Sequence, residues 1–206
     1  MVQINEIITN EIIINKSRFI TTLFPVKNID DVNYYLSITK KKYYDATHNC
    51  YAYILGSNSE IQKCSDDGEP QKTAGFPMLD VLKKNNLTNI LAITTRYFGG
   101  ILLGAGGLIR AYSDSVAQAL KDAKLYQNAL YQKIIINIDY SLYNNIVQDL
   151  NKYKILNQDF KDSISLILGI KKDEVDNFKK KLINQSKGKA IILEDEDFES
   201  LELIKQ

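Results

Sequence analysis

Of the 206 residues, only two are cysteine, three are proline, one is histidine and none is tryptophan. Two cysteines, Cys50 and Cys64, exclude a disulfide framework in a chain of this size and suit a reducing cytoplasm, the expected location. Charge of either sign is in no excess: 26 basic against 25 acidic residues leave a net charge of +1. That balance excludes global attraction to nucleic acid or a membrane, so any basic surface must be local. No apolar run approaches the roughly 20 residues that span a bilayer. Met1 to Asn15 carries Glu6 and Glu11 within its apolar pattern and has no charged opening, unlike a signal peptide. What is present is ordinary for a soluble globular protein: 45% hydrophobic and 25% charged residues, enough to bury a core in one large or two small domains.

Glycine is unevenly spent. Five of the 10 glycines fall between Gly99 and Gly107, in a stretch bracketed by Arg96 and Arg110. Leu91 to Thr94 is a short run of branched and apolar residues that reads as a buried strand. From Leu108 to Leu120 the apolar residues return at helical spacing without Pro or Gly, which predicts a helix. A strand, a glycine-rich turn and a helix N-terminus together present backbone N–H groups to an anion. The segment matches neither the phosphate-loop signature nor the dinucleotide fingerprint: no Lys-Ser/Thr follows, and Gly104-Ala105-Gly106-Gly107 lacks the third glycine of the latter. The glycines would equally serve a tight turn with close helix packing. Arg96 and Arg110 favour an anion site through their bidentate forks, or else they pair with Asp66, Asp67 and Glu69.

Along the chain, Val2 to Ile14 reads as two short strands or a hairpin turning at Thr9-Asn10, and Phe19 to Val26 as another strand. Asp30-Asp31 open a helix that ends in Lys40-Lys41-Lys42, charges that suit its two ends. The triple lysine is either a solvated helix end or a phosphate contact. Tyr51 to Leu55 is a strand, and Ile61 to Cys64 is its hairpin return. Ser65 to Pro77, broken by Gly and Pro, is a loop of the length that often carries function, before a helix at Met78 to Lys84.

After Leu120 the character changes. Lys133 to Tyr140, Ile155 to Phe160, Ile164 to Ile170 and Ala190 to Leu193 read as strands, with helices at Ser141 to Lys152 and Lys172 to Gln185. That βαββαβ order is the ferredoxin-like motif. The predicted class is α+β with two domains, 1–127 and 128–206, the boundary lying near Ala123 to Gln132. The first carries 14 basic and 12 acidic residues and the second 12 and 13, an asymmetry too small to assign a partner. Glu194 to Glu202 reads as a solvated acidic end.

The acidic loop forms a second wall for the glycine segment. Asp66, Asp67 and Glu69 are candidates for a divalent cation or for general acid–base work, against capping the next helix and neutralising the arginines. His48 with Cys50 and Cys64 lacks the Cys-x-x-Cys spacing of a zinc site, and a Cys–His dyad has no evident orienter. The expectation is therefore no catalytic residue, metal or cofactor. His48, Asp66, Asp67, Gly68, Glu69, Thr73 and Gly75 are expected to line a cleft. Arg96, Tyr97, Phe98, Gly99, Gly100, Gly104, Gly106, Gly107, Arg110 and Lys72 are expected to meet an anion or nucleic acid, with Tyr97, Phe98 and Tyr112 available to stack on bases.

These residues together resemble the YigZ/IMPACT family. The resemblance rests on Lys16-Ser17-Arg18-Phe19, on His48 within Ala46 to Tyr53, on Ser65 to Gly75 and on Thr95 to Tyr112, in that order. Lys72 departs from it, standing where the family commonly has glycine. The resemblance implies an N-terminal domain with the βαβ fold of a small-subunit ribosomal protein domain, elongation factor G domain IV and the GHMP kinases. It implies a C-terminal domain similar to elongation factor G domain V. Eukaryotic members, which carry a different accessory domain, are translation regulators that interfere with activation of a kinase targeting initiation factor 2. No catalytic residues are carried over. The expected function is a non-enzymatic RNA- or ribosome-associated protein influencing translation. A phosphate-containing small-molecule binder or enzyme, and a protein-interaction module in translation control, are the alternatives.

Overall fold

A computed structural model describes residues 1–205, with the side chain of Lys205 left aside. The chain divides into two compact units, Met1–Gln127, joined by the stretch from Leu203, and Asn128–Glu202. No helix among the described residues is long and apolar enough to cross a membrane.

The first unit is built on a five-stranded sheet of order β2-β3-β6-β4-β5, with β2 Ile8–Ile14, β3 Ser17–Pro25, β4 His48–Leu55, β5 Ile61–Ser65 and β6 Ile90–Tyr97. The two-residue β1, Val2–Gln3, lies outside that sheet and pairs with the start of β7, Leu125–Ile138. Strands β3 and β4 each run antiparallel to β6 and are joined through helix α1, Ile29–Lys42, giving a βαβ crossover with one strand inserted. The hairpin expected at Thr9-Asn10 is absent: β2 runs straight through those residues and turns at Asn15 and Lys16, both at positive φ. That two-residue turn matches the right-handed twist of the strands it joins.

Strand β6 is buried along nearly its whole length because helices cover both faces. On one side α1 packs through Val32, Tyr35 and Leu36 on Phe24, Tyr53, Leu91 and Ile93. On the other, α2 (Gly75–Lys84) and α3 (Gly104–Lys121) cover Phe19, Leu23, Cys50, Ala52, Ile54 and Ala92 with Met78, Leu82, Ala111, Tyr112 and Val116. A polar pair sits inside this apolar layer: the Thr21 and Thr94 hydroxyls meet at 2.8 Å directly across β3 and β6.

The second unit is ferredoxin-like. It runs β7, α4 (Tyr140–Leu150), β8 (Lys154–Phe160), β9 (Ile164–Lys171), α5 (Val175–Ser186) and β10 (Ile191–Lys205), with sheet order β10-β7-β9-β8. Alternate residues of β7 and β9, Ile134, Ile136, Ile138, Ile164, Leu166, Leu168 and Ile170, meet Leu142, Ile146, Phe178 and Leu182 of the helices. The acidic stretch from Glu194 to Glu202 is solvated, Glu194 to Asp197 being exposed, but it is not a loose end. It belongs to a 15-residue strand whose carboxylates pair with Lys133, Lys171, Lys172 and Lys179.

Candidate functional site

The side of β6 covered by α2 and α3 ends in Arg96, and His48 lies opposite it across the β4–β6 ladder. Alternation puts Ile90, Ala92, Thr94 and Arg96 on one face, so an arginine occupies a position the pattern would give to a hydrophobe. The loop after β5 supplies its partner. Glu69, 8% exposed, accepts from Arg96 Nη1 at 2.6 Å and from the Tyr112 hydroxyl at 2.8 Å. Arg96 is itself 5% exposed, and its guanidinium lies over the rings of Phe19 and Phe98. A buried charge pair of this kind is held in place by additional hydrogen bonds and aromatic faces. Among the described residues Arg96 Nε has no acceptor.

His48 Nδ1 stands 2.8 Å from the Asp67 carbonyl oxygen. A carbonyl only accepts, so Nδ1 carries the proton and neutral His48 offers the lone pair of Nε2. Nε2 is 3.9 Å from Glu69 Oε2, too far for a hydrogen bond. Cys50 sits behind this layer with its thiol donating to the Asp66 carbonyl; burial pushes its pKa up to about 12. It is therefore no nucleophile at neutral pH. Burial likewise drives the Tyr112 phenol upward.

The three acidic residues of the loop point to separate tasks. One Asp66 oxygen accepts from the backbone N–H groups of Ala74 and Gly75 at 3.0 and 2.9 Å, and the other from Lys72 N at 2.8 Å. Asp67 accepts from Asn49 N and from Lys40 Nζ. No group of three or more His, Cys, Asp or Glu suited to a metal ion occurs among the described residues. Thr73 closes its own turn onto the Pro70 carbonyl. Lys72, the residue in glycine's place, holds φ +63, so the tight turn survives with a side chain in the left-handed region.

The glycines also divide by task. A Cβ on Gly99 would lie 2.1 Å from the Lys16 carbonyl carbon, and one on Gly75 would lie 2.6 Å from the Ser65 carbonyl oxygen. Gly100 and Gly104 hold φ of +82 and +66. Gly104, Gly106 and Gly107 are not in a turn, as the sequence suggested, but in the first turns of α3. Gly106 has an ordinary φ and would meet nothing with an added Cβ. No side chain caps α3, so its first N–H groups are left without intrahelical or side-chain partners.

These elements enclose a pocket of about 370 Å³ within the first unit. His48, Gly68, Glu69, Arg96, Phe98 and Gly104 line it among the predicted residues. Thr47, Pro70, Leu102, Leu103, Ala105 and Leu108 line it too and had not been singled out. Arg110 and Lys72 are not part of the lining; Arg110 Nε returns to the Gly106 carbonyl of its own helix. Tyr97 binds Asp45 through its hydroxyl and lies under Arg18. Tyr112 is wholly buried, edge-on to Phe19, and is no stacking platform. Its place in the series Leu108, Ala111, Tyr112, Ser115, Val116 was the available signal that it faces the core.

The two folds define an α+β two-domain protein, ferredoxin-like in its second part. Residues 15–120 match the Impact N-terminal domain, and residues 136–189 match a domain of unknown function, DUF1949. The IMPACT family member YvyE of Bacillus subtilis is 39% identical over 189 residues, covering 91% of this chain and 87% of that protein. YigZ of Escherichia coli is 34% identical over 184 residues, covering 87% and 90%. A crystal structure of a hypothetical protein superimposes with a TM-score of 0.60 at 32% identity, covering 95% of this chain and 97% of that one. The chain belongs to the IMPACT family.

Proposed function

We propose that the protein acts in translation by binding RNA, free or within the ribosome, at the start of α3. The observation that carries this reading is the uncapped helix N-terminus, with Gly104 and Ala105 in the wall of a concave pocket edged by half-exposed Phe98. Backbone N–H groups aimed at a concavity suit a phosphate, and an exposed ring suits a base. The translation setting comes from the family resemblance, whose eukaryotic members regulate that process. In this reading Arg96 contributes Nε alone, Nη1 donating to Glu69 and Nη2 to the Ser17 hydroxyl, and Arg110 and Lys72 act from outside the pocket as general positive charge.

The test is RNA binding and ribosome co-sedimentation over a salt series. Two phosphate contacts would lower affinity about sevenfold between about 50 and about 200 mM salt. An Ala105→Glu variant places a carboxylate in the pocket wall at the first turn of α3 while suiting the helix dipole, so it should fold and lose binding. Absence of binding by the wild type at low salt overturns the reading.

A second reading, a protein-interaction module in translation control, is favoured by Phe98, Ile101 and Leu102, which expose 46, 43 and 87% of their surface on one loop. It predicts a peptide partner whose binding is lost in Leu102→Asp and barely changes with salt.

A further inference from the structure

We propose that the pocket takes a single nucleoside monophosphate unit, its phosphate on the amides that open α3 and its base beside Phe98. This deepens the RNA reading above and rests on it for the source of the nucleotide, a free monophosphate or the phosphorylated end of a strand.

The size comes first. About 370 Å³ falls at the small end of the roughly 300–1,000 Å³ that ligand pockets span, room for one compact molecule rather than a groove that tracks a strand. The polar groups come next, and they are of two kinds at different places. Donors gather at the start of α3, where Gly104 and Ala105 line the pocket and no side chain caps the first N–H groups of the helix. A further donor is independent of the helix: Arg96 lines the pocket, is 5% exposed, and keeps Nε without an acceptor among the described residues. A buried donor left unpaired costs about 1–3 kcal/mol, a cost that an incoming acceptor removes. Two acceptors face these donors: His48 Nε2, freed by the bond from Nδ1 to the Asp67 carbonyl, and Glu69 Oε2, 3.9 Å from that Nε2. Phe98, Leu102, Leu103, Leu108 and Pro70 make the remaining walls apolar.

A ligand that satisfies all of these carries an anion, a hydroxyl or amine donor and a flat apolar body. A fatty carboxylate would leave His48 without a donor, and an inorganic anion would leave the apolar walls empty. The ribose hydroxyls of a nucleotide give His48 its partner, and the base fills the space against Phe98. The charge argues for one phosphate. Glu69 and Arg96 cancel each other, and the α3 dipole adds about half a positive charge. Di- and triphosphates are usually carried with a divalent cation, whereas the Asp66 carboxylate is taken by Lys72, Ala74 and Gly75 and that of Asp67 by Asn49 and Lys40.

The experiment is calorimetric titration of the full-length protein with AMP, UMP, 2′,3′-dideoxy-AMP and inorganic phosphate. It is paired with a single-stranded RNA oligonucleotide in 5′-phosphate and 5′-hydroxyl forms. The expected order is AMP and UMP binding saturably, the dideoxy form about tenfold weaker, and phosphate weaker still. His48→Ala should abolish the preference for the ribose hydroxyls, and Ala105→Glu, in the pocket wall, should weaken every monophosphate at least about tenfold without lowering Tm. A 5′-phosphate oligonucleotide binding more tightly than its 5′-hydroxyl form assigns the pocket to a strand end. Nucleotide binding without any RNA binding keeps the pocket assignment and overturns the RNA reading. RNA binding that ignores the end phosphate and is not competed by AMP overturns this proposal and leaves the RNA reading standing. No nucleotide binding, or binding unchanged in Ala105→Glu, also overturns it.

Discussion

At the start of α2 the Asp66 carboxylate accepts three backbone N–H groups; at the start of α3 no side chain does so. Both helices belong to the same layer and cover the same face of the sheet. Both begin in glycine-containing loops next to the same pocket. The first start is closed by the protein itself, with the loop folded tightly enough to force Lys72 into the left-handed region. The second is left open, and Gly106 in its first turn is a residue for which neither backbone angle nor space demands glycine. The α2 start is closed by Asp66, and the α3 start, whose Gly104 and Ala105 line the pocket, is the end that the proposed ligand would use. Between the two starts the Glu69–Arg96 pair ties the loop to the sheet.

That tie gives the largest expected effect. Glu69→Ala would strand the Arg96 charge in the core and should cost about 3–5 kcal/mol in urea unfolding. A loss under 1 kcal/mol would mean that the pair is solvated in solution. Asp66→Ala should open the start of α2 and cost about 2 kcal/mol, with faster hydrogen exchange at Ala74 and Gly75. An unchanged exchange rate there would erase the contrast between the helices. At α3 the sign reverses: Gly106→Ala should gain about 0.5–1 kcal/mol, since the helix interior prefers a Cβ that meets nothing. Lys72→Gly should gain about 1 kcal/mol by relieving the left-handed backbone. The smallest effect concerns Cys50. Its raised pKa favours the protonated, folded state, so this contribution is whole below pH about 8.5 and fades as pH rises towards about 12. At pH 8 a thiol reagent should therefore modify Cys64 well before Cys50, as read by mass spectrometry.

Much of this was legible in the residues. Periodicity placed the helices and most strands, because alternating isoleucines and acidic and basic helix ends are local signals. The glycine segment announced a special backbone. The partner of Arg96 was not legible, since Glu69 is 27 residues away and three carboxylates of one loop were equal candidates. Nor was the early start of α3: glycine reads as a turn, while in a first helical turn it is tolerated at modest cost. Strand β10 was hidden because its acidic residues signal solvent locally, and the lysines that neutralise them, such as Lys133 and Lys172, lie on other elements. The hairpin at Asn15 and Lys16 lacks a glycine, so the turn gave no sequence sign.

The Thr21–Thr94 pair has a consequence for how the first unit assembles. Side chains alternate faces along a strand, so sliding β3 past β6 by one residue would turn Thr21 away from Thr94 and leave a hydroxyl facing hydrocarbon. An all-apolar layer would forgive such a slip, because one branched side chain replaces another at little loss. Two hydroxyls that meet across the strands, with the Ser115 hydroxyl of α3 at 3.5 Å from that of Thr94, make the central strand pair readable in a single alignment. They act as a proofreading mark written into the middle of an otherwise uniform core.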